Sequence, residues 1–406
     1  MAKSKAWQYV SDQFKQARER FAQPEFGPPL APEYLFRRIL RDYVKARVRY
    51  WRKRGFPDYV LNYPQKAKKL RSLMKYDHSR LIVNGVVKQK GMHALDVAWS
   101  HFPHQWSVRC GNRHTPLEVF DDDKLLEKAI YKRLTFGGFS ITGKSKFRLT
   151  AAELRKGLRT YSGTQGVSNF RPTAAAAIYH RYMPDNGGVT WDMSCGWGGR
   201  LLGAMACHKV HKYIGCDPST ETWKGLVRMK LDLLPSAMLM GRELDVEIYK
   251  LGSETKEMRD KLPEGGVDLC FTSPPYFSRE RYSDEETQSW VKYKTPDAWL
   301  TGFLGQTLDN CAFCLKPDGC VAINIADVAE YPDLSERLVE YAERKRWKLV
   351  ETLRYSLSSM MGTKHKHNGK PKDEPIYVFN RATHSPFRSF SEQSRTMKQK
   401  KRKGKG

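Results

Sequence analysis

Between residues 187 and 381, short apolar runs alternate with longer amphipathic ones. "GGVTWDMSC", "KYIGCD", "VEIYKLG", "VDLCFTS" and "GCVAINIAD" have strand length and strand-like content. "RLLGAMACHKV", "ETWKGLVRMKLDLL", "DAWLTGFLGQTLDNCAFCL" and "LSERLVEYAERKR" fall between them with helical spacing. Parallel strands need a crossover of a dozen or more residues, and such crossovers cover the sheet with helices. The alternation therefore predicts an α/β fold with a mostly parallel sheet and helices on both faces. The last two runs, "KLVETLRY" and "EPIYVFNR", are separated by a basic loop and are expected to pair as a hairpin.

The texture changes near Thr150. Residues 1–150 form a basic N-terminal region, α+β or mainly helical, expected to bind nucleic acid or recognise a target. Residues 151–383 carry the strand–helix alternation. Residues 384–406 end in "KQKKRKGKG", hold almost no apolar content and are expected to be disordered. The chain has 71 Lys and Arg against 44 Asp and Glu, a formal charge of +27, which points to a polyanionic partner. In "YLFRRILRDYVKARVRYWRKRGF", apolar residues recur at helical spacing while Arg37, Arg38, Arg41, Lys45, Arg49, Arg52 and Lys53 crowd the other faces. Asp42 is the single acid of that run. Such a helix suits a phosphate backbone.

No apolar run is long enough for a membrane span, and the N-terminus lacks an apolar signal core, so a soluble, cytoplasmic protein is expected, at the nucleoid or in a phage-infected cell. The eight cysteines lie mostly in apolar segments and read as small buried residues; the one close pair, Cys311 and Cys314, fits helix packing, and no metal site is expected.

Two motifs carry chemistry. In "TWDMSCGWGGRLLGAMA" a strand ends at Asp192, a turn carries Gly196 and Gly198, and a helix follows. Glycine lets a backbone turn tightly and approach a ligand without a Cβ in the way. A second strand ends in Asp217, where an acid accepts hydrogen bonds from ribose hydroxyls. The acid ahead of the turn suits a cationic cofactor better than a pyrophosphate, and S-adenosylmethionine (SAM) is such a cofactor.

The second motif is "FTSPPYF". The strand delivers Ser273 to the sheet's C-terminal edge, where α/β proteins bind ligands. Pro274 and Pro275 have no N–H, so the carbonyls of this stiff corner remain acceptors. Rigid acceptors facing an aromatic amino group would hold its two N–H donors and leave its lone pair available. Tyr276 offers a face on which a ring can stack. The corner is suited to presenting an exocyclic amine to an electrophile.

These motifs resemble those of the SAM-dependent DNA amino-methyltransferases that modify cytosine N4 or adenine N6. The family's acidic-or-seryl–Pro-Pro-aromatic signature stands here as Ser273-Pro274-Pro275-Tyr276, and the Ser-Pro-Pro-Tyr form is commonest among the N4-cytosine enzymes. The stretch Asp192 to Gly198 resembles the family's Asp-Pro-Phe-x-Gly-x-Gly, matching at the acid and both glycines. "NFRPTAAAAIYHRY" resembles the segment that closes over the methionine part of SAM. "LKPDGCVAINIAD" and "KDEPIYVFNR" resemble two later strands.

The resemblance implies a Rossmann-like methyltransferase sheet. It implies catalytic roles for Ser273, Pro274, Pro275 and Tyr276, with Phe277 assisting the stacking. It implies cofactor contacts from Phe170, Arg171 and Pro172, from Asp192, Ser194, Gly196 and Gly198, and from Asp217. Where the family often has Gly-Asp near the adenine of SAM, this chain reads "KLGSETK", and Ser253 or Glu254 stands in.

The expected function is transfer of a methyl group to an exocyclic amine of a flipped DNA base, cytosine N4 favoured over adenine N6. An RNA base amine is the closest alternative substrate, since a basic extension serves RNA equally. A catalytically silent SAM-fold protein that only binds nucleic acid is a different class, against which the intact Asp192, Asp217 and Ser273–Tyr276 argue.

Overall fold

The computed structural model describes residues 32–88, 93–136, 149–161, 163–356 and 373–381, with short strand pieces at 366–367 and 370–371. Residues 1–31, the side chain of Arg37 and the expected basic tail from residue 384 lie outside the described residues.

In chain order the strands are β1 (Ile82–Val83), β2 (Val86–Val87), β3 (Arg109–Cys110), β4 (Gly188–Asp192), β5 (Val210–Cys216) and β6 (Asp245–Tyr249). There follow β7 (Val267–Thr272), β8 (Glu280–Arg281), β9 (Leu315–Asn324), β10 (Trp347–Ser356), β11 (Lys366–His367), β12 (Lys370–Pro371) and β13 (Asp373–Arg381). Nine of them form one sheet in the order β1-β2-β10-β13-β9-β7-β4-β5-β6. β6, β5, β4, β7 and β9 run parallel, and β13 is antiparallel to both β9 and β10. The expected hairpin of the last two long strands is therefore present.

β4 lies between β5 and β7, with Thr190 opposite Leu269 and Trp191 opposite Cys270. The chain leaves β4 toward β5 on one side and reaches β7 later on the other. That reversal of strand order opens a crevice at the C-terminal ends of β4 and β7, the place where such sheets bind ligands. The strands there are buried on both faces, every residue of β7 included. Even Asp268 is satisfied inside the sheet, accepting from the Val189 N–H and from Lys316 Nζ, both at 2.8 Å.

Two apolar clusters fill the faces of the sheet. One gathers Leu201, Leu202, Tyr213, Leu226 and Phe271; the other gathers Trp191, Ile214, Trp299, Leu308 and Val321. Arg242 ties one face together without a carboxylate, donating to the carbonyls of Ala204, Met205, Cys207, His208 and Val210. Cys270, Cys311 and Cys314 are buried in the second cluster, with the Cys270 and Cys314 sulfurs 3.8 Å apart.

The division expected at residue 150 does not coincide with a division of the core. Leu70, Val97, Trp99, Phe102 and Val108 share the first cluster with the sheet, and β2 extends the sheet by pairing parallel to β10. A separate third cluster joins the helix Pro32–Arg54 (Leu40, Val44, Val48, Trp51) to residues 119–158, including Leu126, Ile130, Leu154 and Leu158. The early region is thus partly a cover for the sheet and partly a helical unit with its own core.

Candidate active site

The turn after β4 is held open by backbone conformation. Gly196 and Gly198 sit at φ +51° and +68°, in the left-handed region that residues with a Cβ rarely adopt. A Cβ on Gly199 would lie 1.9 Å from the Phe170 carbonyl oxygen, so the helix that starts there requires glycine to let the 168–170 segment approach. Asn169 stitches that segment down by donating to the Trp197 carbonyl at 3.0 Å. Trp197 is buried against Phe102 and Tyr282, with ring centroids 5.6 and 4.4 Å away.

Asp192 lies beneath this turn rather than at its mouth. Its side chain is fully buried and accepts from Arg200 Nε at 2.9 Å and from the Tyr213 hydroxyl at 2.7 Å. Burial works against the Arg200 charge, but the Asp192 carboxylate outweighs it and raises the guanidinium's pKa. The carboxylate expected to face the cofactor therefore holds the turn through a buried ion pair, and Arg200 lines the cleft in its place.

Asp217 follows β5 and does face the cleft. One oxygen accepts from the Gly196 N–H at 2.9 Å and the other from the Ser219 N–H at 3.0 Å. Burial dominates over these two bonds and pushes its pKa up to about 7.

The corner after β7 lies across the crevice. Ser273, Pro274, Pro275 and Tyr276 all line the cleft. Tyr276 remains partly exposed, and its hydroxyl lies 3.3 Å from Glu374 Oε2 on β13 and 3.4 Å from Asn324 Oδ1 on β9. Asn324 is itself fixed, donating to the Pro375 carbonyl at 3.0 Å. Burial and then Glu374 raise the Tyr276 pKa, and a hydrogen bond with Ser273 works the other way. Three strands thus converge on one phenol.

Phe277 has a different place from the one expected. At φ +53° it reverses the chain, and its ring is buried between Trp299 and Tyr331, with centroids 6.1 and 6.3 Å away. A bulky side chain in the left-handed region is strained, at a cost of order 1–3 kcal/mol. Core burial holds it there, so it has no ring face to offer a base.

The cleft encloses about 180 Å³ and runs from the glycine turn, past Asp217, to the corner. Of the expected cofactor residues, Phe170, Ser194, Gly196, Asp217 and Ser253 line it. Phe170 is clamped by stacking on Tyr355, centroids 4.6 Å apart. Arg171, Pro172, Asp192 and Gly198 do not line the cleft. The Ser253 hydroxyl is bonded to Thr307 Oγ1 at 2.8 Å, and Glu254 is paired with Lys292.

Sequence reasoning missed Glu280, Glu374, Asn324, Arg279 and Gln288, which also line the cleft. Burial raises the Glu280 pKa, and its carboxylate accepts from the Ser168 N–H at 3.2 Å. Glu374 and Asn324 lie in the two later strand segments singled out by resemblance, the one available signal for them.

Residues 267–406, from β7 onward, match the family model described as a DNA methylase of the N6/N4 type. Over those residues the chain is similar to the DNA amino-methyltransferases. S-adenosylmethionine is accordingly its methyl donor. No curated protein matches the chain. Among solved structures, a SAM-dependent O-methyltransferase from Thermotoga maritima is 11% identical, with 54% of this chain and 69% of that one covered at a TM-score of 0.35. A precorrin-6y C5,15-methyltransferase from Geobacter metallireducens is 14% identical over 51% and 86%, at 0.33. The m1A22 tRNA methyltransferase of B. subtilis is 13% identical over 53% and 67%, at 0.31. At these scores the fold assignment of this chain rests on its own strand order.

Of the basic helix residues, Arg38, Arg41, Lys45, Arg49 and Lys53 are exposed, and no salt bridge holds them among the described residues. Arg52 differs: it bonds Asp123 Oδ1 at 2.8 Å and lies 3.8 Å from Asp121. No helix among the described residues is long and apolar enough to cross a membrane.

Proposed function

We propose that this protein methylates an exocyclic amine of a DNA base, cytosine N4 in preference to adenine N6. The observation that carries the reading is the opening of the glycine turn and the Ser-Pro-Pro-Tyr corner into one cleft, from the adjacent ends of β4 and β7.

The residues present fit the cofactor. Asp217 offers buried carboxylate oxygens at ribose position, and the left-handed Gly196 lets backbone approach the ligand. Phe170, Ser194 and Arg200 would hold the methionine end. When bound, the cofactor supplies an electrophilic methyl group.

The chain's own contribution is positioning. The Ser273 hydroxyl and the Pro274 carbonyl accept hydrogen bonds from the target amine and fix its orientation. Tyr276 is tethered through its hydroxyl, so its ring is held at a set angle for a base to lie against. Glu374 lines the same end of the cleft and is placed to take the proton that the nitrogen sheds. Holding reactants in register supplies much of such an acceleration. The preference for cytosine rests on seryl rather than aspartyl at the head of the corner, the form commonest among the N4-cytosine members. The exposed stripe of the helix Pro32–Arg54 supports phosphate contact.

The test is incubation with methyl-labelled SAM and separate DNA and RNA substrates, followed by nucleoside mass spectrometry. N4-methylcytosine in DNA is the expected product. N6-methyladenine would correct the base, label confined to RNA would correct the substrate, and no label in either would overturn the reading.

A further inference from the structure

The segment 283–292 crosses the cleft as a strap pinned at both ends. Glu285 accepts from the Thr220 N–H at 3.0 Å and from its hydroxyl at 2.7 Å, and the Thr287 hydroxyl donates to the Pro218 carbonyl at 3.2 Å. On the other side, Trp299 Nε1 donates to the Ser289 hydroxyl at 3.1 Å, and Lys292 pairs with Glu254. The strap therefore spans the space between Asp217–Pro218 and Ser253–Glu254.

Gln288 sits in the middle of it. Its side chain lines the cleft and is 8% exposed, yet its Nε2 is buried without a hydrogen-bond partner among the described residues. A buried amide donor without a partner costs on the order of 1–3 kcal/mol, so its retention needs an explanation. The two residues expected to read the adenine are already engaged, Ser253 with Thr307 and Glu254 with Lys292. A carboxamide has a donor and an acceptor side by side, and a glutamine amide pairs in this way with adenine, whose amino group lies beside a ring nitrogen.

Resting on the cofactor assignment made above, we propose that Gln288 is the residue that reads the adenine edge of the cofactor, its Nε2 donating to a ring nitrogen and its Oε1 accepting from the exocyclic amine. The strap's two anchors hold the amide in the same cleft as Asp217. Gln288 is thus a specificity-determining residue, in place of the carboxylate the resemblance led one to expect.

The experiment is calorimetric titration of the full chain, without nucleic acid, with S-adenosylhomocysteine and with its analogue carrying purine in place of adenine. The parent is expected to bind the adenine ligand about tenfold tighter. Gln288→Leu and Gln288→Met are expected to bind the two ligands equally. Their ligand-free Tm should equal or exceed the parent's, because an unpartnered buried amide has been removed; a role confined to holding the strap would lower it. If either variant keeps the parent's preference, or if the parent itself does not distinguish the ligands, the assignment of Gln288 is overturned while the cofactor site stands. If the parent binds neither ligand, both are overturned.

Discussion

The Gly196 N–H donates to the Asp217 carboxylate at 2.9 Å, which joins the turn after β4 to the acid after β5. The same carboxylate accepts from the Ser219 N–H at the start of the next helix. Asp217 is thus the clamp between the two loops and, in the reading proposed above, also the group that faces the cofactor's ribose. These duties compete for one buried charge.

That competition gives a pH signature. The folded pKa of Asp217 is raised from 3.8 to about 7 by burial, so between these values the folded state holds a proton that the unfolded chain has released. Its contribution to stability is therefore greatest below about pH 4 and declines as pH rises to about 7, on the order of 4 kcal/mol in all. Asp217→Asn removes the titration, so the variant's stability should gain on the parent's between pH 4 and 8, read by denaturant unfolding across that range. SAM affinity should move oppositely in the parent, rising toward pH 8 because ribose hydroxyls donate to the anion. In Asp217→Asn it should be weaker and flat with pH.

Ser273 and Tyr276 should separate chemistry from cofactor binding. Ser273→Ala removes an acceptor for the target amine, so turnover is expected to fall on the order of 10²-fold while the SAM dissociation constant changes less than about twofold. Tyr276→Phe keeps the ring and loses the tether to Asn324 and Glu374. Its defect should be smaller than that of Tyr276→Ala, which also loses about 1–3 kcal/mol of stacking. Single-turnover rates alongside SAM titrations decide this, and full activity in Ser273→Ala would exclude its assigned role.

The sheet was legible because strand–helix alternation admits few arrangements, and the two motifs fell at strand ends where ligands bind. β2 was not: two valines give no periodicity, and their place beside β10 depends on the covering segment. The spacing of Asp192 showed that a carboxylate stands at the turn, but its partner, Arg200, is set by which way the helix faces. Phe277 read as an aromatic next to a binding corner, and a positive φ sent it into the core instead. Gln288 carries no local signal, since only tertiary packing brings it to the cleft.

The Asp192–Arg200 pair should behave as a structural unit. Removing one partner leaves a buried charge uncompensated, which typically costs about 3–5 kcal/mol. Asp192→Asn and Arg200→Met should each lower stability by an amount of that order. The double variant should recover part of the loss, giving a coupling energy in a double-mutant cycle of denaturant unfolding. Additive losses would show that each residue acts on the turn independently.

The basic helix supplies a prediction in which two arginines of one helix part company. Arg38, Arg41, Lys45, Arg49 and Lys53 are spaced three or four residues apart, so they lie within roughly 120° of arc along roughly 22 Å. That stripe lies on a different arc of the helix from Leu40, Val44, Val48 and Trp51, which are buried in the third cluster. Each stripe residue that neutralises a phosphate adds about 0.9 to the slope of log K against log salt. Lys45→Ala and Arg49→Ala should therefore each weaken binding to duplex DNA irrespective of sequence and reduce that slope by about 1. Arg52→Ala should leave the slope nearly unchanged, because its charge is met by Asp121 and Asp123. Fluorescence anisotropy across a salt series compares the three, and equal slopes in parent and stripe variants would move the nucleic-acid contact to another surface.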